Sequence, residues 1–79
     1  MSPRSLANKL MRKHVRLGKD EDGKFVIGTV VGTQYLCTDC RIRLPDGSER
    51  WIATHKLDFV DTHVAQSVRV WWSERSARL

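Results

Sequence analysis

Two cysteines three residues apart, in Cys37-Thr-Asp-Cys40, are the pair in this chain best spaced for chemistry. A C-x-x-C pair supplies two thiolates to a tetrahedral zinc ion or forms a redox couple, and His55 and His63 are residue types that complete a two-cysteine, two-histidine set. The pair is half a site, because the two histidines lack the short spacing of the second half. A redox role needs the motif at a helix N-terminus, where thiol pKa values fall, and the strand-rich context here argues against that. The reading is one buried and one surface thiol, with no metal and no cofactor. His14, His55 and His63 are dispersed, and no serine sits in a nucleophile-elbow sequence. At 79 residues the chain is one domain, too small for a deep private pocket in a single copy. It reads as a non-enzyme.

The second set of residues is cationic and aromatic. The formal net charge is +5, and Arg4, Lys9, Arg12, Lys13 and Arg16 stand in residues 1–17 without an acid, while the rest of the chain balances to zero. A polyanion is therefore expected to meet the N-terminal arm first. The three tryptophans are Trp51, Trp71 and Trp72. Trp71 and Trp72 are adjacent and cannot share one core site, so one is expected to bury while the other is exposed or meets a partner. Arg41, Arg43 and Trp51 fall on one hairpin, where an arginine beside a ring is suited to stacking a base or gripping a peptide.

The elements that must position these groups are short strands. Residues 5–14 predict a helix capped by Ser5, with Leu6 and Leu10 on one face and Lys9, Arg12 and Lys13 on the other. Ten residues are marginal alone, so this helix must dock or fold on a partner. Val15 to Leu17 predicts a first strand. Gly18 to Gly23 is a polar loop whose three acids lack the alternating oxygen ligands of a calcium loop. Lys24 to Thr33 predicts a long second strand, broken by Gly28 and Gly32 where it must bend or approach another backbone closely.

Leu44-Pro-Asp-Gly-Ser48 predicts a three-residue hairpin with a bulge, pairing Leu44 with Ser48, Arg43 with Glu49, Ile42 with Arg50, Arg41 with Trp51 and Cys40 with Ile52. Cys40, Ile42, Leu44 and Ile52 then face inward and Arg41 and Trp51 outward, with Arg50 left to reach back to solvent. Thr54 to Leu57 predicts a 3₁₀ turn and Asp58 to Asp61 a closing strand. Residues 64–72 fit either helical or strand periodicity, and the helix is favoured because Ser73 to Leu79 has little β character.

This order, running from Val15 to Asp61, resembles the SH3-like small barrels, such as Tudor and KOW-type modules, with Gly28-Thr-Val-Val-Gly32 as the most similar segment. The resemblance implies a mainly β fold: a five-stranded barrel over residues 15–61, a short basic N-terminal helix or arm over 1–14, and a tryptophan-containing tail over 62–79. Tudor domains carry an aromatic cage, but no motif fixes Tyr35, Trp51 and Phe59 as its members. KOW modules keep company with RNA and with transcription and ribosomal assemblies, and the resemblance implies such company here. Gly28 to Tyr35, Gly47-Ser48 and Leu57 to Val60 also resemble the type II dihydrofolate reductases. Where that family has its active-site Val-Gln-Ile-Tyr, this chain has Glu49-Arg50-Trp51-Ile52. That likeness implies a shared scaffold without the activity.

The expected function is a small binding module acting on RNA or DNA, or within a nucleoprotein or regulatory complex. Its candidate binding residues are Arg4, Lys9, Arg12, Lys13, Arg16, Arg41, Arg43, Trp51, Trp71 and Trp72. The alternative is a protein–protein interaction module or small inhibitor that uses exposed tryptophan, and self-association is left open. No apolar run approaches the roughly 20 residues of a membrane span, and no apolar segment of a signal peptide follows the basic N-terminus. Both observations point to the cytoplasm, where the cysteines stay reduced.

Overall fold

A computed structural model describes residues 2–77. The expectations for Met1, Arg78 and Leu79 lie outside the described residues. The first helix, α1 (Pro3–Leu10), begins earlier than the sequence predicts. Ser2 is its cap, with Oγ accepting from the Ser5 amide at 3.2 Å, and Pro3 opens the first turn, where its missing N–H costs nothing. The helix stops at Leu10 instead of His14 because the backbone turns left-handed at Arg12 (φ +66°). Arg12 then donates its amide to the Val30 carbonyl at 2.9 Å, which feeds the chain directly into the sheet. Leu6 and Leu10 are fully buried, so the short helix owes its order to docking.

Five antiparallel strands follow: β1 (His14–Lys19), β2 (Phe25–Gln34), β3 (Asp39–Arg43), β4 (Glu49–Ala53) and β5 (Asp58–Phe59), with a 3₁₀ turn at Thr54–Lys56. Their order in the sheet is β4-β3-β2-β1-β5. The hairpin register is the one the turn chemistry dictates. Leu44 donates to the Ser48 carbonyl at 2.8 Å, Gly47 takes φ +91°, and every pair from Arg43–Glu49 to Cys40–Ile52 is in place. In the long β2 strand a bulge between Val30 and Gly32 turns Val30 toward the core opposite Ile42 and sets Gly32 opposite Arg41.

The sheet does not close into the barrel that the sequence predicts. β4 and β5 lie at opposite edges, and β5 is only two residues long, held to β1 by Val15–Phe59 and Arg16–Asp58. So short a strand cannot bridge back to β4. Helices fill the opening instead. The second of them, α2 (Thr62–Ala77), settles the ambiguous segment as helix, burying Val64, Ser67, Val68 and Trp71 at helical spacing. Asp61 caps it by accepting from the amides of Val64 (3.2 Å) and His63 (2.9 Å), and these bonds hold its carboxyl below the usual range. Leu6, Leu10, Val64, Val68 and Trp71 thus join Val15, Val30, Cys40, Ile42 and Phe59 in one core on the inner face of the sheet. No helix among the described residues is long and apolar enough to cross a membrane.

Candidate functional site

Because both helices pack on the inner face, the outer face of the sheet is left uncovered, and strand alternation decides what stands on it. One row runs His14, Thr29, Arg43, Glu49 across β1 to β4, and a neighbouring row runs Gly32, Arg41, Trp51 across β2 to β4. In the second row the Arg41 guanidinium lies with its centre 5.8 Å from the Trp51 ring centroid. Beside it is Gly32, where a β-carbon would come within 3.4 Å of Arg41 Nη2. A β-carbon at that distance would make ordinary van der Waals contact, so the guanidinium packs against this position of β2 without requiring glycine there. Trp51 stands on the edge strand and keeps 47 % of its surface exposed.

Glu49 binds the two rows together. Its Oε2 accepts from Arg43 Nε at 3.1 Å and Nη2 at 2.9 Å, and its Oε1 lies 3.4 Å from Arg41 Nε. The second approach forms no hydrogen bond, so Arg41 Nε is sealed from solvent without a hydrogen-bond acceptor. Further along β1, Arg16 pairs with Asp58 at 3.3 Å. The face therefore carries three arginines, Arg16, Arg41 and Arg43, and three carboxylates, Asp39, Glu49 and Asp58, beside an exposed ring.

The structure divides the ten residues expected from sequence into separate places. Arg16, Arg41, Arg43 and Trp51 share the outer face. Arg4 and Lys9 ride on α1, which covers the inner face, and Arg12 follows its C-cap, Met11. These three cations make no ion pair among the described residues, whereas Lys13 lies 3.8 Å from Asp61. The basic segment is thus a fixed part of the fold and not a detached arm. Trp71 is a core residue, 5 % exposed, with Arg75 over its ring at 5.7 Å. Trp72 is half-buried and stacks on His55 with centroids 4.1 Å apart and planes 8° from parallel. Glu49 and Gly32 belong to the site although sequence reasoning does not single them out; for Glu49 the signal was its predicted register opposite Arg43.

Both cysteines are buried, which corrects the expectation that one would lie at the surface. Cys37 Sγ donates to the Pro3 carbonyl at 3.1 Å and so ties the β2–β3 turn to α1. Cys40 Sγ lies 3.1 Å from Thr54 Oγ1, and that hydroxyl donates to the Cys37 carbonyl. Burial is the main reason that both thiols are raised above the ordinary cysteine pKa, which disfavours the reactive thiolate. Among the described residues no three His, Cys, Asp or Glu side chains converge as metal ligands would. A cavity of about 720 Å³ opens between the ends of the β1–β2 and β3–β4 hairpins, lined by Leu17, Val26, Leu44 and Arg50 among others.

The turn from β2 to β3 is unusual. Tyr35, Leu36 and Cys37 have φ of +53°, +55° and +71°, so three successive non-glycine residues are left-handed. Cys37 points inward, while Tyr35 (71 % exposed) and Leu36 (68 % exposed) stand out into solvent. In comparisons of this chain with protein-family models, with curated proteins and with solved structures, nothing matches.

Proposed function

We propose that the protein is a non-catalytic nucleic-acid-binding module of SH3-like type that uses the outer face of its sheet. The observation that carries this reading is the layered Gly32–Arg41–Trp51 row with Arg43 beside it, on a face that neither helix covers. Arginine forks match phosphate oxygens, and an exposed indole offers a surface for a base. The excess positive charge of the chain raises the local concentration of a polyanion around that face. That excess is the charge of residues 1–17, of which Arg16 stands on the outer face while Arg4, Lys9 and Arg12 stand on or beside α1.

The test is a salt titration of binding to generic RNA and DNA. Wild-type protein is expected to bind at low salt with log K falling linearly in log salt. The double variant Arg41→Ala/Arg43→Ala is expected to flatten that slope by about 0.7 to 0.9 for each phosphate that is no longer neutralised. Deleting residues 1–17 is not a clean test, since Leu6, Leu10 and Val15 belong to the core. Charge reversal at Arg4 and Arg12, both exposed, reads the contribution of α1 without unfolding it. An absence of binding even at low salt would remove the proposal.

A second reading, a protein-interaction module, draws on the exposure of Tyr35 and Leu36 in their left-handed turn. Strained backbone that presents large apolar side chains is a feature of ligand clamps and binding loops. Under this reading Tyr35→Ser/Leu36→Ser abolishes association with a protein or with a second copy, read by sedimentation, and leaves nucleic-acid binding unchanged.

A further inference from the structure

We infer that the outer face takes unpaired nucleotides, with one base on the open side of Trp51 and the adjoining phosphate between Arg41 and Arg43, in the place now held by the Glu49 carboxylate. This rests on the nucleic-acid reading above and specifies its ligand class.

The ring comes first. Trp51 lies on the last strand of the sheet, so no further strand flanks it, and its nearly half-exposed surface is a large apolar area to leave in water. Arg41 lies over the indole and beside the Gly32 position of β2, so backbone, guanidinium and ring form one row of neighbours spanning three strands. Such a ring fits a planar partner. Bases in a duplex hide their faces within the stack, whereas unpaired bases offer theirs.

The carboxylate comes second. Two arginines from one strand converge on Glu49, and only Arg43 makes hydrogen bonds to it, through its Nε and Nη2. Arg41 contributes attraction at 3.4 Å and keeps an unfilled donor. The pair is therefore an anion site occupied by an anion of the chain itself, and occupied incompletely. The side chains concerned are partly solvent-exposed, so these pairs are weak enough to exchange for a phosphate, whose oxygens suit the same guanidinium forks. Phosphate and base are then neighbours in one nucleotide, as Arg41 and Trp51 are neighbours across β3 and β4. Glu49 acts as a competing ligand that sets the affinity of the site.

The experiment compares a short labelled oligothymidylate with a duplex of the same length, by fluorescence anisotropy at low salt. Wild-type protein is expected to prefer the single strand. Trp51→Ala is expected to weaken the single strand roughly 5- to 150-fold and leave the duplex unchanged. Trp51→Phe, which keeps a stacking ring on a solvent-facing position, is expected to retain most of the affinity. Glu49→Gln is expected to tighten single-strand binding by up to about fivefold, as the release of exposed ion pairs allows. Equal affinity for duplex and single strand, an unaffected Trp51→Ala, or equal losses with Phe and Ala would overturn the base-stacking assignment while the nucleic-acid reading stands. Unchanged or weaker binding by Glu49→Gln would overturn the competing-ligand role. Failure of wild type and Glu49→Gln to bind either probe would overturn the nucleic-acid reading itself.

Discussion

The two turns that flank β3 both place residues in left-handed backbone space, one with glycine and one without. After β3, Gly47 takes φ +91° where no β-carbon is present to object, and Asp46 braces the turn from within by accepting from the Ser48 amide and hydroxyl. Before β3, Tyr35, Leu36 and Cys37 take left-handed φ with side chains attached, which costs roughly 1 to 2 kcal/mol for each residue. Among the described residues that turn has one local backbone bond, Thr38 amide to Tyr35 carbonyl at 3.2 Å, and a Thr38 hydroxyl donating to Asp39 at 3.3 Å, and further restraint arrives from distant segments. Thr54 donates its hydroxyl to the Cys37 carbonyl and its amide to the Thr38 carbonyl, while the Cys37 thiol reaches Pro3 in α1. One turn is specified by its own residues, and the other is imposed by the fold around it. Strain survives where tertiary contacts over-determine a conformation, and it is also the usual place to look for function.

The comparison breaks most directly at Thr54, which is fully buried. Thr54→Val keeps the shape but removes the hydroxyl, leaving the Cys37 carbonyl and the Cys40 thiol without their buried partner. An expected loss of about 2 to 3 kcal/mol would lower the melting temperature by on the order of 10 °C or more. A wild-type melting temperature in Thr54→Val would show that the left-handed turn holds itself. Next in size is Gly47→Val, which forces a β-branched residue to positive φ at an exposed site with no nearby atoms to clash. About 1 to 3 kcal/mol of destabilisation is expected from the backbone alone. An unchanged denaturation midpoint would mean that the hairpin can adopt another turn.

The same contrast explains what can be read from the sequence. Pro45-Asp-Gly47 carries its turn chemistry in three letters, and once that turn is placed, strand alternation fixes Arg41 beside Trp51 and Arg43 beside Glu49. Arg41 approaching Glu49 is a diagonal contact, within reach of a long side chain but not implied by facing pairs alone. The left-handed turn has no glycine to announce it. Closure of the sheet is illegible for a related reason: whether β4 and β5 meet depends on the ends of distant strands, and local patterns of Gly and β-branched residues do not encode that. Val68-Arg-Val-Trp-Trp72 fits both periodicities, and burial against Phe59 and the inner sheet face selects the helix that sends Trp71 inward. The leucines of the N-terminal helix reveal it, yet the cap expected at Ser5 lies three residues late, although Ser2 before Pro3 is itself a legible cap with proline in the first turn.

A change of sign sharpens the comparison further. Leu36 is 68 % exposed, so Leu36→Gly forfeits no core packing and relieves a left-handed side chain. Glycine also frees the unfolded chain, which offsets part of the gain. The expected result is neutral to stabilising by up to about 1 kcal/mol in chemical denaturation, opposite in sign to any substitution at Gly47. A loss of stability in Leu36→Gly would show that the Leu36 side chain makes contacts that outweigh the strain.

The smallest effect belongs to the self-braced turn and is read against pH. The Asp46 carboxyl is held below the usual carboxylate range, first by the Ser48 hydroxyl at 2.6 Å, then by the Ser48 amide at 2.9 Å, with Arg50 adding to both. Since its pKa is lower folded than unfolded, the carboxylate contributes stability above the ordinary value of about 3.9 and loses that contribution as pH falls through the lowered value. Asp46→Ala removes the brace at every pH. The difference in melting temperature between wild type and Asp46→Ala should therefore be small but constant near neutrality, and should shrink toward zero as acid protonates Asp46. The left-handed turn gains its restraint from hydroxyl, thiol and backbone groups contributed by Thr54 and Pro3, so Thr54→Val should keep its full deficit over the same pH range. A wild-type advantage over Asp46→Ala that persists below the lowered value would assign the brace to side-chain shape instead of carboxylate charge, and the two turns would then differ in their backbone alone.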